Sequence, residues 1–107
     1  MKYLIYALLL FSGSSFANSY DEGQALAFDR NKGNCLACHM MAGGEMPGAV
    51  APPLIMMKQR FPDRAVLREQ IWDATIRNSD TVMPPYGRHG VFTEEELDQV
   101  VDFVYSL

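Results

Sequence analysis

The chain is organised around the pentapeptide Cys35-Leu36-Ala37-Cys38-His39. Its form, Cys-x-x-Cys-His, is the attachment motif for a c-type haem. On a helical turn, side chains three and four positions apart lie on one face, so both sulfurs can reach the two vinyl groups at one porphyrin edge. The motif therefore predicts one covalent haem c, with thioether bonds to Cys35 and Cys38 and with His39 as an axial iron ligand.

Two other kinds of site also use closely spaced cysteines. A redox-active dithiol would follow a strand in a βαβ unit, and the sequence pattern contains no such strand. A zinc site needs four ligands, and the second histidine of the sequence, His89, stands 50 positions beyond His39. We prefer the haem interpretation and keep the dithiol and the zinc site as alternatives.

Residues 1–17 have the layout of a secretory signal peptide. Lys2 precedes the apolar run Tyr3–Phe11, and small residues follow up to Ala17. The apolar run is shorter than the ~20 residues of a bilayer-spanning helix, which argues against an uncleaved anchor. We expect cleavage after Ala17, a periplasmic cytochrome c domain over residues 18–107, and no stable membrane insertion after cleavage.

Charge and size narrow the class of protein further. The sequence carries 9 Lys and Arg against 13 Asp and Glu, and loss of residues 1–17 would leave a net charge of −5. We expect no nucleic-acid partner, because nucleic-acid binding needs a concentrated basic face. A single domain of this size is only marginally stable unless a covalent cross-link or a bound cofactor supports it. The two cysteines are too close in sequence for a disulfide between them to stabilise the fold, so a covalently attached cofactor is the better candidate for this role.

The hydrophobic pattern predicts an all-α fold, with about three main helices joined by long loops and no sheet. We expect the first helix over Tyr20–Arg30 and the second from the N-cap Asp63 to about Arg77. Thr93 and Glu96 form a capping box for the last helix, which runs to the C-terminus. The apolar stripe of that helix consists of Leu97, Val100, Val101 and Val104.

The sixth iron ligand must come from outside the pentapeptide. The candidates beyond the signal segment are Met40, Met41, Met46, Met56, Met57, Met83 and His89. We prefer Met83, because the two prolines after it stiffen an extended loop, and a weak thioether ligand is then held at little entropic cost. Met56, Met57 and His89 remain alternatives, and most of the other methionines are expected to be apolar filler.

The axial histidine needs a fixed acceptor for its second ring N–H. The stretch Met40–Pro53 is rich in glycine and proline, so we expect an ordered loop there rather than a helix or strand. Our choice of acceptor is a carbonyl of the proline-rich stretch Ala51–Leu54, and within it that of Pro52. The segment Val82–Gly87 is expected to be extended, because proline disfavours helical backbone in the residue before it.

Two further sets of side chains have expected roles. The set expected to pack in the core and against the haem consists of Trp72, Tyr86 and Phe103. The set expected to form a solvated helix face consists of Arg64, Arg68 and Arg77. A partner for a haem propionate is expected among the arginines of the chain, without preference for one, because bidentate pairing with a carboxylate suits Arg.

Several blocks of sequence together closely resemble the SoxX family, the small monohaem cytochrome c subunits of SoxAX sulfur-oxidation complexes. The blocks are residues 33–39, 43–48, 60–63, 70–75, 81–89 and 100–103. The resemblance covers nearly all of residues 18–107. It implies a class I cytochrome c fold around one covalent haem, an axial methionine at Met83, and a heterodimer with a larger SoxA-like cytochrome subunit.

The resemblance also implies that the complex joins thiosulfate oxidatively to a cysteine of a carrier protein. That reaction needs a reactive sulfur, whereas both cysteines here would be used in thioethers. We therefore expect a non-catalytic electron-transfer subunit of an L-cysteine S-thiosulfotransferase-type complex, with no complete active site of its own, that passes electrons to a downstream soluble cytochrome c. The alternatives are a free-standing electron-carrier cytochrome c and a haem enzyme or gas sensor in which Met83 dissociates.

Overall fold

The computed structural model describes residues 19–107, and the predicted signal peptide, residues 1–17, lies outside them. The helices are α1 (Ser19–Phe28), α2 (Met57–Arg60), α3 (Arg64–Trp72) and α4 (Glu94–Tyr105), with 3-10 turns at Cys35–Ala37 and Ala74–Ile76. Residues 19–107 contain no strand, so the all-α prediction is confirmed for them. None of their helices is both long enough and apolar enough to cross a bilayer.

Helix α4 lies at the centre of the core. The hydroxyl of Thr93 accepts the N–H of Glu96, and the carboxylate of Glu96 accepts the N–H of Thr93, which confirms the predicted capping box. The predicted apolar stripe is buried as well, and its members are Leu97, Val100, Val101 and Val104. Three glutamates in the first turn lie where the helix dipole favours negative charge.

Helix α1 packs across α4 at close range. A Cβ at Gly23 would overlap the α4 backbone and the side chain of Phe103, so the approach of the two helices depends on glycine. Tyr20 and Phe28 meet the Phe103 ring edge-on, with ring centroids 5.3 and 5.6 Å apart. This contact holds the chain that leads into the cysteine motif against the core.

Helix α3 is shorter than predicted. It begins at the predicted N-cap, Asp63, whose carboxylate accepts a backbone N–H at 2.9 Å. It ends at Trp72 rather than near Arg77, because Asp73 has an extended backbone, with φ −157° and ψ 96°. The Asp73 carboxylate accepts both the N–H and the hydroxyl of Thr75. A side chain that competes for backbone N–H groups therefore ends the helix early.

The loop over residues 40–53 has no helix or strand, as predicted, and it folds back along the cysteine motif. Its N–H groups donate to carbonyls in or beside the motif: Gly48 to Leu36 (2.7 Å), Ala51 to Cys38 (3.0 Å) and the adjoining Leu54 to Met40 (2.8 Å). A Cβ at Gly48 would overlap the backbone of Ala37, so the loop can lie this close only with glycine there.

Helix α2 was not predicted. It follows Met56, which has left-handed backbone with φ 53°, and the N–H of Met57 donates to the carbonyl of the C-terminal Leu107 at 3.0 Å. Four residues are too few to produce a helical hydrophobic pattern. A contact with the far end of the chain therefore helps to place this element.

The segment after Met83 is extended only in part. It is irregular through Pro85 and turns at Tyr86, so the prediction of extended backbone to Gly87 is wrong at its end. The N–H groups of Gly87 and its neighbour donate to the carbonyl of Trp72 at 3.1 and 3.2 Å. A Cβ at Gly87 would overlap the Trp72 ring. The end of α3 therefore determines the course of this loop.

The arginines of the α3 region are partly exposed, as predicted for a solvated face, but they are also paired with acids. Each lies beside a carboxylate, and the pairs are Arg64–Asp102 (2.5 Å), Arg68–Asp98 (2.8 Å) and Arg77–Glu69 (3.3 Å). The side chains are partly exposed, so each pair contributes about 1 kcal/mol or less. Two of the pairs, Arg64–Asp102 and Arg68–Asp98, join α3 to α4.

Candidate haem site

Both cysteines of the motif lie on one short turn. The N–H groups of Cys38 and His39 donate to the carbonyl of Cys35 at 3.2 and 2.9 Å. The preceding residue, Asn34, has left-handed backbone, with φ 49° and ψ 36°, and so turns the chain into the motif. No disulfide joins the two cysteines. The sulfurs of both residues are therefore available on one turn.

The protonation of the Cys35 thiol bears on the dithiol alternative. Burial raises the pKa of this thiol to about 11, and the neighbouring Cys38 adds to the rise, while a backbone hydrogen bond opposes it. Redox-active dithiols instead carry a thiol with a lowered pKa. The surroundings of Cys35 do not fit a redox dithiol.

His39 is held with one ring nitrogen available for a metal. Its Nδ1 lies 2.7 Å from the carbonyl oxygen of Pro52. A carbonyl can only accept, so Nδ1 carries a proton and donates; in the neutral imidazole, Nε2 then has the free lone pair. Pro52 is the acceptor that we predicted. This contact fixes the orientation of the imidazole before any metal binds.

Two adjoining cavities open beside the cysteine turn, with volumes of about 150 and 410 Å³. The residues that line both are Cys35, His39, Pro52, Gln70, Met83 and Tyr86. The smaller cavity reaches the core, where aliphatic side chains of α3 and α4 line it. The larger opens between the loop at residues 50–52 and the segment 78–84. An apolar slot with sulfurs, an imidazole and a thioether along it fits a covalently attached haem.

The candidate sixth ligands differ in their access to this slot. Met83, the preferred candidate, lines both cavities. Met57 lines only the smaller one, is 1% exposed, and accepts a hydrogen bond from Arg60 at its sulfur, 3.4 Å away. Met56 and His89 are exposed and line neither cavity. The geometry favours Met83 among the alternatives that the sequence left open.

The remaining methionines have two different environments. Met41 is buried in the core, as expected for apolar filler. Met40 and Met46 are mostly exposed, so the expectation of filler is wrong for them. They belong to a loop whose backbone follows the cysteine motif, and the path of that loop turns these side chains outward.

Tyr86 connects the segment that follows Met83 to the chain that leads into the cysteine turn. Its hydroxyl donates to the carbonyl of Gly33, just before the cysteine turn, at 2.5 Å, and its ring stacks on Phe92 with centroids 5.1 Å apart. Burial raises the pKa of Tyr86 above its usual range, so the phenol stays protonated and remains a donor. Trp72 and Phe103 pack in or against the core but line neither cavity, so haem packing fits only Tyr86 of the three predicted aromatic residues.

An ion pair holds the loop after Met83 to the end of α3. Nε of Arg88 lies 2.8 Å from Oδ2 of Asp73, which is 6% exposed. The hydrogen bond from Thr75 is the main reason that the pKa of Asp73 lies below its usual value, and the positive charge of Arg88 lowers it further. Asp73 is therefore ionised at neutral pH and anchors the loop that follows the candidate ligand.

Sequence reasoning missed several polar residues that line the cavities, among them Arg60 and Gln70. Nη1 of Arg60 donates to the carbonyls of Pro53 and Ile55 at 2.7 and 3.3 Å, beside the segment that orients His39. Arg60 belongs to the unpredicted α2, and from sequence it was only one of several arginines that could pair with a haem propionate. Gln70 stands three positions after the buried Leu67, and a polar residue on that apolar face was a signal that we did not use.

Comparison with known proteins agrees with this geometry. Residues 18–104 match the family model described as cytochrome c oxidase, cbb3-type, subunit III. A comparison with curated proteins gave no match. Among solved structures, the chain is similar to one chain of the crystal structure of SoxXA from P. pantotrophus. The two chains are 25% identical, with a TM-score of 0.73, over 86% of this chain and 83% of that one.

These matches confirm the class I cytochrome c fold and the resemblance to SoxX. They also support covalently bound haem c and a role in electron transfer. The family match spans nearly all of the described residues. It therefore concerns the whole domain and not the Cys-x-x-Cys-His motif alone. The chain therefore belongs to this family of cytochrome c domains.

Proposed function

We propose that this chain is a periplasmic monohaem c-type cytochrome that serves as the electron-transfer subunit of a SoxAX-type complex. The observation that carries the proposal is that Cys35, His39 and Met83 line one continuous slot, with Cys38 beside them. Cys35 and Cys38 would hold the haem through thioethers, and His39 and Met83 would ligate its iron. A haem c bound in this way supplies a one-electron carrier whose potential depends on its axial ligands.

The protein's contribution is to hold the ligand atoms still. The carbonyl of Pro52 keeps the His39 ring in one orientation. Met83 precedes two prolines, and its N–H donates to the hydroxyl of Thr81 at 3.2 Å. Ligands that move little between oxidation states favour fast electron transfer, because little reorganisation accompanies the change in charge. Aliphatic side chains of α3 and α4 line the inner part of the slot and make that region unfavourable for water.

The sulfur chemistry belongs to another polypeptide. Joining thiosulfate to a carrier cysteine removes two electrons and requires a reactive thiol or its equivalent. The sequence contains 2 cysteines, and both are assigned to thioethers. This chain therefore receives electrons one at a time from its partner and passes them to a soluble cytochrome c.

The mouth of the slot supports docking of a SoxA-like partner. Val50 and Val82 line the larger cavity and are 78% and 84% exposed, so exposed apolar side chains flank the opening. We assign the partner interface to the loops Met40–Pro53 and Met83–Gly90, with Val82 adjoining the second. The acidic first turn of α4 is left to solvent or to a basic redox carrier.

Purification from the native periplasm tests the partnership. Co-elution with a larger haem protein is the expected result, whereas a lone monomer would favour the free-standing electron carrier.

Reconstitution from purified components tests the division of labour. This chain alone should accept electrons from a chemical reductant without conjugating thiosulfate to a carrier cysteine, and turnover should appear on adding the SoxA-like subunit. Met83→Ala should abolish that turnover, and Met56→Ala, a change of an exposed methionine outside both cavities, should leave it intact. Turnover by this chain alone would refute the proposal.

A further inference from the structure

Gln70 is a polar side chain on the apolar face of α3. Its neighbours on that face, Leu67 and Ile71, are buried in the core, whereas Gln70 is half-buried and lines both cavities of the slot. An amide in an apolar cavity costs free energy unless it has a hydrogen-bond partner. The Gln70 amide therefore needs a hydrogen-bond partner within the cavity.

The partner of the Gln70 amide is the candidate ligand itself. Nε2 of Gln70 lies 3.9 Å from Sδ of Met83, within hydrogen-bond range for sulfur. The two residues belong to separately anchored segments. The Asp63 cap and the ion pairs to α4 hold the helix of Gln70, while the Thr81 hydroxyl and the following prolines hold Met83. The contact is therefore built into the fold.

We propose that Gln70 is a positioning residue for Met83, whose thioether sulfur accepts its amide N–H, and that this contact raises the reduction potential of the site. The inference rests on the proposed assignment of Met83 as an axial ligand. Beyond that assignment, Gln70 controls the position of the Met83 sulfur and how strongly this sulfur donates electron density to a metal.

Two physical effects act in the same direction. A thioether sulfur is a weak acceptor, and the electron density that it shares with an N–H is less available to a metal. The positive end of the amide dipole also lies toward the site, where it disfavours the more positively charged, oxidised state. Hydrogen bonds around the ligands are one of the means by which proteins tune haem potentials. Both effects favour the reduced state.

The test replaces the amide in the holoprotein. Gln70→Leu keeps the bulk of the side chain and removes the donor. We expect the ratio of reduced to oxidised protein at a fixed applied potential to fall about tenfold, a shift of about 59 mV for one electron. The absorption band that reports thioether ligation of the oxidised iron should shift. Gln59→Leu is the matched control, because Gln59 is exposed and lines neither cavity, and it should change neither quantity.

The outcomes separate this inference from the proposed function. An unchanged potential and an unchanged band in Gln70→Leu would overturn the role of Gln70 while leaving the Met83 assignment intact. Absence of the thioether band from the wild-type protein would overturn the Met83 assignment and the role of Gln70 with it. If Gln70→Leu fails to accumulate, Gln70→Glu has nearly the same shape and, when ionised, no N–H to donate. A wild-type potential in that variant, measured at a pH at which the introduced carboxyl group is ionised, would also overturn the inference.

Discussion

Replacing Tyr86 by Phe tests whether the Tyr86 hydroxyl joins the segment that follows Met83 to the chain just before the cysteine turn. The substitution removes the hydroxyl that donates to the buried carbonyl of Gly33 and keeps the ring that stacks on Phe92. Losing a neutral hydrogen bond costs about 1 kcal/mol, and leaving a buried acceptor unpaired adds a comparable amount. We therefore expect the free energy of unfolding to fall by about 2 kcal/mol.

Denaturant unfolding of the holoprotein, followed by circular dichroism and by haem absorbance, measures this loss. For a domain of this size the same change lowers the melting temperature by about 10 °C. Tyr105→Phe is the matched control, because its hydroxyl donates to the carbonyl of Pro62 at an exposed position, 3.2 Å away. The control should cost about 0.5 kcal/mol or less. Equal losses in the two variants would refute the argument that the Tyr86 hydroxyl bridges the segments around the slot.

Three other predictions concern the haem and its surroundings. Haem should stay with the polypeptide under denaturing conditions, and Cys35→Ala or Cys38→Ala should sharply reduce holoprotein yield; complete extraction by acid acetone would contradict covalent attachment. Met83→Ala should turn a low-spin absorption spectrum into a high-spin one and lower the potential, because a coordination position opens; if Met57→Ala does so instead, the ligand is Met57. The pKa of Asp73 lies below its ordinary value of 3.8, so its stabilising contribution is present above that pH and is lost as the pH falls through the lowered pKa. The stability advantage of wild type over Asp73→Asn should therefore shrink in acid, and urea midpoints that differ by a constant amount across the acid range would show that this carboxylate is not responsible.

Local patterns in the sequence were sufficient for the elements that local chemistry forms. The Cys-x-x-Cys-His spacing predicted both sulfurs on one turn, and the capping box with its apolar stripe predicted α4. The carbonyl of Pro52 was predictable as the acceptor for His39 because it stands in a stiff loop that follows the motif closely. In each case the interacting groups are near in sequence, or the period of the apolar residues defines the buried face.

The surroundings of the candidate ligands depend on contacts between distant parts of the chain. Gln70 meets Met83 only because α3 ends where Asp73 competes for backbone N–H groups and the following loop returns to that end. Helix α2 is placed in part by a hydrogen bond to the C-terminal residue, and Arg60 enters the cavity on that helix. Hydrogen bonds and cavity walls of this kind leave no periodic signal, because each partner's position is set by packing that exists only after the helices have assembled.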